Sequence, residues 1–412
     1  MDMTRILYYY VFDAASTDAI PEKAGFGVNS IMGDIPYPGQ IRKGCYPELM
    51  IFRRSSARDM FKRDKRNIIM NMHDLLRRDP QIWDLFTRKE EYDNPLRDRY
   101  DRFPYYVSKN RDIFEPRASQ SLAGHGYSVQ YPDNAPFAVC LTHDIDTVYR
   151  SIPSKAISTL RTLKQGNISG AFRNLSEMRS KKLPLCNFHE IMDLEEQYGA
   201  KSTFFFLAGS PGEQDYSYDI EDLKPEIRNI IDRGWEVGLH GGHNTYLNFE
   251  EMRLKKERLE KVAGKPVIGY RNHFLRFRVP DTWEYLSQAG FLYDTTLGYA
   301  DCVGFRNGMC HPFRPYNLNT GREIDIVEIP LVVMDGTLDG YMRLDASKAW
   351  ELIRRLIDYI EQCHGVFTLL WHNTYMEDER LRFYKKVLAY CREKDAWMTS
   401  GEEIEKRWTM NG

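Results

Sequence analysis

From Phe137 onward, short apolar runs alternate with longer stretches whose apolar residues recur every three or four positions. Ala138–Leu141, Thr203–Leu207, Trp235–Leu239, Ile326–Met334 and Val366–Leu370 carry apolar residues on both faces. That predicts strands buried inside a parallel sheet. Phe188–Tyr198, Leu223–Ile231, Phe249–Val262 and Ala346–Cys363 read as helices, the first three stopped near Gly199, Gly234 and Gly264. Strands alternating with helices imply an α/β fold with helices outside the sheet. About seven such units over residues 136–412 suit a (β/α) barrel better than a small open sheet.

Residues 1–135 differ. They are dense in charge and tyrosine and are broken by Tyr37-Pro38-Gly39, Asp79-Pro80, Asn94-Pro95 and Glu115-Pro116. A helix is expected near Asp59–Leu76, and Tyr131–Pro136 reads as a linker. His73 and His125 are isolated, and no catalytic motif is visible. This part is therefore an N-terminal extension of unassigned role, ahead of a barrel domain over residues 136–412.

Composition narrows the function. Charged residues make up 28% of the 412 and the formal net charge is -2, so no overall field favours nucleic acid or an anionic membrane. The basic clusters, such as Lys62-Arg63-Asp64-Lys65-Arg66, read as solvated helix faces. Seven cysteines occur without a Cys-x-x-Cys pair, which argues against a disulfide framework. No apolar run is long enough to span a bilayer, and the first residues lack a signal-peptide core. A cytoplasmic protein is the expectation.

Polar clusters close several predicted strands, where parallel α/β folds place their ligands and bases. Asp144 and Asp146 stand at i, i+2 after the first strand, and two carboxylates so close call for a cation or a shared proton. His240 and His243 follow the third, among glycines that allow close backbone approach. Imidazole and carboxylate together suit zinc or a similar divalent ion. Arg271 and His273 face one way on a further strand, where the Arg can hold an acid ionised. Asp294 follows next, and His372 closes a nearly apolar strand, a fitting place for a general acid or base. Each cluster also has a bland reading: a turn pair, a surface ion pair, a satisfied core histidine.

The order of these clusters resembles the polysaccharide deacetylase family with the NodB-homology domain, over roughly Pro136 to Thr409. Asp144-Ile145-Asp146 is similar to its first motif, Glu236–His240 to its second, Arg271 to its third, Asp294 to its fourth and Leu370-Trp371-His372 to its fifth. Trp397-Met398-Thr399 and the following helix resemble its closing elements. The resemblance implies a distorted (β/α) barrel with a divalent metal, usually zinc, at its mouth. It implies Asp146 and His240 as metal ligands, Asp144 as general base, Arg271 orienting Asp144, His372 as general acid and Asp294 tuning His372.

One position departs from the family. Where its second motif places another histidine stands Asn244, which leaves His273, His243 or Asn244 as third ligand. The implied activity is removal of an N-acyl group, acetyl or formyl, from an amino sugar destined for a surface polysaccharide. A cytoplasmic enzyme would meet that sugar on a nucleotide or lipid carrier. Hydrolysis of a non-sugar C–N bond, or sugar binding by a spent site, are the alternatives.

Overall fold

The computed structural model describes residues 71–150 and 183–411. Nine parallel strands form the main sheet: β1 (Ala138–Ile145), β2 (Thr203–Leu207), β3 (Glu236–Gly241), β4 (Gly269–Asn272), β5 (Tyr293–Asp294), β6 (Val327–Glu328), β7 (Val333–Met334), β8 (Val366–Leu370) and β9 (Trp397–Thr399). Their order is β6-β5-β4-β3-β2-β1-β8-β7, with β9 pairing additionally to the start of β1. Helices return the chain between most strands: α4 (Phe188–Glu196), α5 (Lys224–Asp232), α6 (Phe249–Ala263) and α7 (Asp281–Gln288) link β1 to β5 in turn, α8 (Ala346–Cys363) links β7 to β8 and α9 (Asp378–Glu393) links β8 to β9, with α10 (Gly401–Asn411) following β9.

The segment read as one strand, Ile326–Met334, is two. Pro330 has no N–H to give a ladder, and the chain passes from β5 to β8 in four residues. The two ends of the sheet order are thus consecutive in the chain. A link from Glu328 to Val333 reaches at most ~18 Å, so the sheet must curl until its ends approach. The result is the distorted (β/α) barrel that the alternation of strands and helices predicts.

Local signals account for the helix ends. Asn248 caps α6 by accepting the Glu251 N–H at 3.1 Å, and Gly264, at φ 71, ends it in the left-handed conformation. Asp345 caps α8 through the Lys348 N–H at 2.9 Å, and a buried stripe runs through Ala349, Leu352, Ile353, Leu356, Ile357 and Ile360.

Ahead of the barrel lie α1 (Met72–Leu76), α2 (Pro80–Phe86) and α3 (Arg117–Gly124). Of the helix expected over Asp59–Leu76, Met72–Leu76 is helical with Asn71 as its N-cap, and positions 59–70 fall outside the described residues. Fully buried Arg88, Glu91 and Arg306 join this segment to the barrel: Glu91 Oε1 lies 2.7 Å from Arg88 Nε, and its Oε2 2.6 Å from Arg306 Nη2. Arg88 also donates to the Arg306 carbonyl at 2.6 Å and to the Tyr299 hydroxyl at 2.8 Å. Nearer the barrel mouth, Arg102 donates to the Phe274 carbonyl at 3.0 Å, and Tyr100 stacks on the Phe274 ring at 4.9 Å. Among the described residues no helix is long and apolar enough to cross a membrane.

Candidate metal centre and active site

The carboxyl ends of the strands converge on Asp146, which follows β1. Its Oδ1 lies 3.2 Å from His240 Nε2 and 3.6 Å from His273 Nε2, and its Oδ2 lies 3.5 Å from His372 Nε2. Although burial opposes ionisation, His273, His240 and His372 hold the Asp146 carboxyl far below the usual carboxylate range.

His240, near the end of β3, donates Nδ1–H to the Arg271 carbonyl at 2.9 Å, which leaves the Nε2 lone pair facing Asp146. Gly241 follows it because a Cβ there would collide with the Tyr270 hydroxyl and lie 2.7 Å from Asn272 Oδ1. His273 sits one residue past β4. Its Nδ1 lies 3.0 Å from Asp215 Oδ2, and Phe274 stacks on its ring at 4.1 Å.

The ligand atoms of Asp146, His240 and His273 all lie within 4.8 Å of one another. Donors held ~2.1 Å from one tetrahedral ion stand ~3.4 Å apart, so the cluster suits a divalent metal with little rearrangement. Asp146 Oδ1 and His240 Nε2 are buried and make no hydrogen bond. Two such atoms facing each other across the cluster leave lone pairs that an ion between them would satisfy. One carboxylate oxygen with two imidazole nitrogens is a zinc-type donor set.

His243 is outside this cluster. Its ring packs edge-on against Phe274 at 5.5 Å, and its backbone N–H donates to Asp215 Oδ2 at 2.6 Å. Burial, and Arg276 nearby, push its pKa down to about 4. Asn244 accepts from Arg276 at 3.1 Å.

Asp144, inside β1, is buried. Its Oδ2 lies 3.6 Å from His240 Nε2, and its Oδ1, without a hydrogen-bond partner, lies 3.8 Å from Arg271 Nη1. Arg271, on β4, is fixed by donating to the Thr142 hydroxyl at 3.0 Å and the Thr295 hydroxyl at 3.2 Å.

His372 follows β8. Its Nδ1 lies 2.8 Å from Oδ1 of Asp335, the buried residue that follows β7. Burial disfavours the imidazolium, but Asp335, with Asp146 beyond, raises its pKa to about 10. The expectation that Asp294 tunes His372 is therefore corrected: Asp335 holds that place. Asp294 accepts from the Thr296 hydroxyl at 2.6 Å and is register partner to Glu328 across β5 and β6. Burial raises both carboxyls of that pair, Glu328 furthest.

Two carboxylates in contact with the candidate site, Asp335 and Asp215, thus escape the reading of the sequence. Asp335 stands at the end of a strand much as Asp294 does, and that is the available signal. Asp215 lies in the loop between β2 and α5 with no periodic signal at all. Despite burial, its carboxyl is held at about 2 by His273 and Lys255. Chemically, the site places a carboxylate and a cationic imidazole on either side of a metal-ligand cluster, which fits hydrolysis with acid–base assistance.

No family model matches the chain, and no curated protein matches it. Several solved structures are similar. One, from Mycobacterium smegmatis and named as a polysaccharide deacetylase, has 21% identity and a TM-score of 0.48, covering 69% of this chain and 94% of that one. A peptidoglycan deacetylase from Bacillus subtilis has 12% identity and a TM-score of 0.33, covering 67% and 93%. A CE4 family pseudoenzyme from Bacillus anthracis has 13% identity and a TM-score of 0.35, covering 67% and 66%.

Proposed function

We propose that this chain is a metal-dependent hydrolase that removes an N-acyl group from an amino sugar. The observation that carries this reading is the meeting of Asp146, His240 and His273, with unsatisfied buried donors, beside Asp144 and His372. Asp146, His240 and His273 would hold the metal, zinc first by donor type. When bound, such an ion polarises an amide carbonyl and makes water more acidic.

The chain's own residues supply the proton traffic. Asp144, with Arg271 beside it, takes the proton from the attacking water. His372, cationic through its contact with Asp335, directs Nε2–H into the site and gives that proton to the departing amine. An amine cannot leave as an anion, so this proton transfer accompanies cleavage of the C–N bond. Arg271, tied to Thr142 and Thr295, keeps Asp144 from turning away.

The substrate class rests on the resemblance of the five strand-end motifs to sugar deacetylases. An acetylated or formylated amino sugar, carried on a nucleotide or lipid phosphate toward a surface polysaccharide, is the substrate proposed. The test is release of acetate or formate from N-acylated amino sugars by the purified protein supplied with zinc or cobalt, against chelated controls and cyclic amides. Metal-dependent release from the sugars supports the reading. Turnover of cyclic amides alone, or no metal uptake, overturns it.

A further inference from the structure

We infer that Asp215 is the positioning residue that makes His273, and not His243, the third metal ligand. The inference rests on the metal centre proposed above and names what selects its ligand set.

Asp215 Oδ2 does two things at once. It lies 3.0 Å from His273 Nδ1 and accepts the His243 backbone N–H at 2.6 Å. A neutral imidazole that gives Nδ1–H to a carboxylate has its lone pair on Nε2, and in His273 that atom faces Asp146 at 3.6 Å. The same oxygen pins the backbone of the loop after β3, leaving the His243 ring against Phe274 and outside the donor cluster. One carboxylate thus favours one histidine as ligand and disfavours the other.

The backbone around His273 adds an independent argument. Phe274 and Leu275 both lie in the left-handed region, at φ 60 and φ 54. Bulky residues reach that region only at a cost, and such strain gathers at functional sites. Here the turn is held from outside by the Arg102 bond to the Phe274 carbonyl and the Tyr100 stack on the Phe274 ring. The turn places the His273 ring between Phe274 and the donors, 5.1 Å from the His240 ring. Lys255, bonded to Glu213 at 2.6 Å and to Glu251 at 2.7 Å, adds a positive charge whose field reaches the Asp215 carboxyl. The Asp215 side chain is only 9% exposed, so water competes little for its oxygens.

The test is zinc and cobalt affinity of the full-length protein, by competition with a chromophoric chelator, with the cobalt absorption spectrum as a second readout. His273→Ala is expected to weaken binding ~100-fold or more, and His243→Ala to leave it within about threefold. Asp215→Asn is expected to weaken it ~10–100-fold, as loss of a ligand's carboxylate partner commonly does. In a His273→Ala background Asp215→Asn should cost nothing further, which a merely structural role would not produce. Asp215→Glu keeps the charge, should restore part of the affinity, and serves if Asp215→Asn does not fold. Metal loss in His243→Ala but not in His273→Ala overturns the inference. So does unchanged affinity in whichever Asp215 variant folds, or full addition of the Asp215 and His273 losses. A wild-type protein that takes up no metal instead overturns the proposed function.

Discussion

Asp335 grips His372 twice: Oδ1 lies 2.8 Å from the ring Nδ1, and Oδ2 accepts the backbone N–H of the same residue at 2.5 Å. Ring and backbone are locked together, so the ring has one direction. His372→Ala is expected to lower turnover by ~10²–10⁴-fold, the usual worth of a positioned acid, with little change in melting temperature. Asp335→Asn should repeat much of that loss, and the double variant should be little worse than His372→Ala, because the pair acts as a unit. Asp294→Asn should add to His372→Ala instead, since Asp294 is paired with Glu328. Steady-state kinetics of the five variants decide; full addition of the Asp335 and His372 losses would detach Asp335 from the acid.

Asp144 and Asp146 separate by what they lose. Asp146→Asn is expected to abolish metal binding. Asp144→Asn should retain the metal nearly in full while turnover disappears, because its carboxylate is the proposed proton acceptor and is not among the clustered donors. Elemental analysis alongside the assay measures both. Equal metal loss in the two variants contradicts the division of labour.

Glu236 supplies a pH dependence remote from the metal ligands. Its carboxyl accepts from the Tyr293 hydroxyl at 2.8 Å, the Thr203 hydroxyl at 2.6 Å and the Glu402 N–H at 2.8 Å, yet burial raises its pKa to about 7. A raised folded-state pKa means its contribution to stability is complete below the unfolded value of ~4.5 and is lost as pH rises through about 7. Relative to Glu236→Gln, the wild-type protein should therefore lose stability between those two pH values. Denaturant melts of both proteins across that window check it, and parallel curves would refute it.

The Arg88–Glu91–Arg306 triad is fully buried. Glu91→Ala leaves two buried guanidinium groups without their shared carboxylate and is expected to cost ~3–5 kcal/mol. Replacing all three by apolar residues of similar volume should cost less. Unfolding in urea measures both, and equal losses would show that the charges are not what matters.

Much of this was legible in the sequence because one rule generates it. A strand buried on both faces is apolar, and the first polar residues after it are those of the active face. Asp144, Asp146, His240, Arg271 and His372 all announce themselves this way. His273 was readable from its alternation with Arg271, although β4 ends at Asn272 and a short turn carries the histidine inward. Asp335 was lost because Ile326–Met334 looks like a single apolar strand. Pro330 breaks it, and the carboxylate that ends the second half stands one residue past the predicted boundary. Asp215 was out of reach, since a loop residue gains its role from tertiary contact and leaves no period. The Arg88–Glu91–Arg306 triad was invisible for the same reason, with its third member 215 positions from the second.

The junction between β6 and β7 also bears on how this molecule keeps to itself. A sheet that stops must present unpaired N–H and C=O groups, and a long bare edge is a template for another chain. Here each terminal strand is two residues long. The outer side of β6 is taken by Phe313, which exchanges hydrogen bonds with Glu328 at 3.0 and 2.8 Å. Next to β7, the Val332 carbonyl accepts from Gly304 at 2.9 Å. Pro330, between the two, has no N–H to offer. Among the described residues, then, both ends of the sheet are short, and the β6 end is already paired.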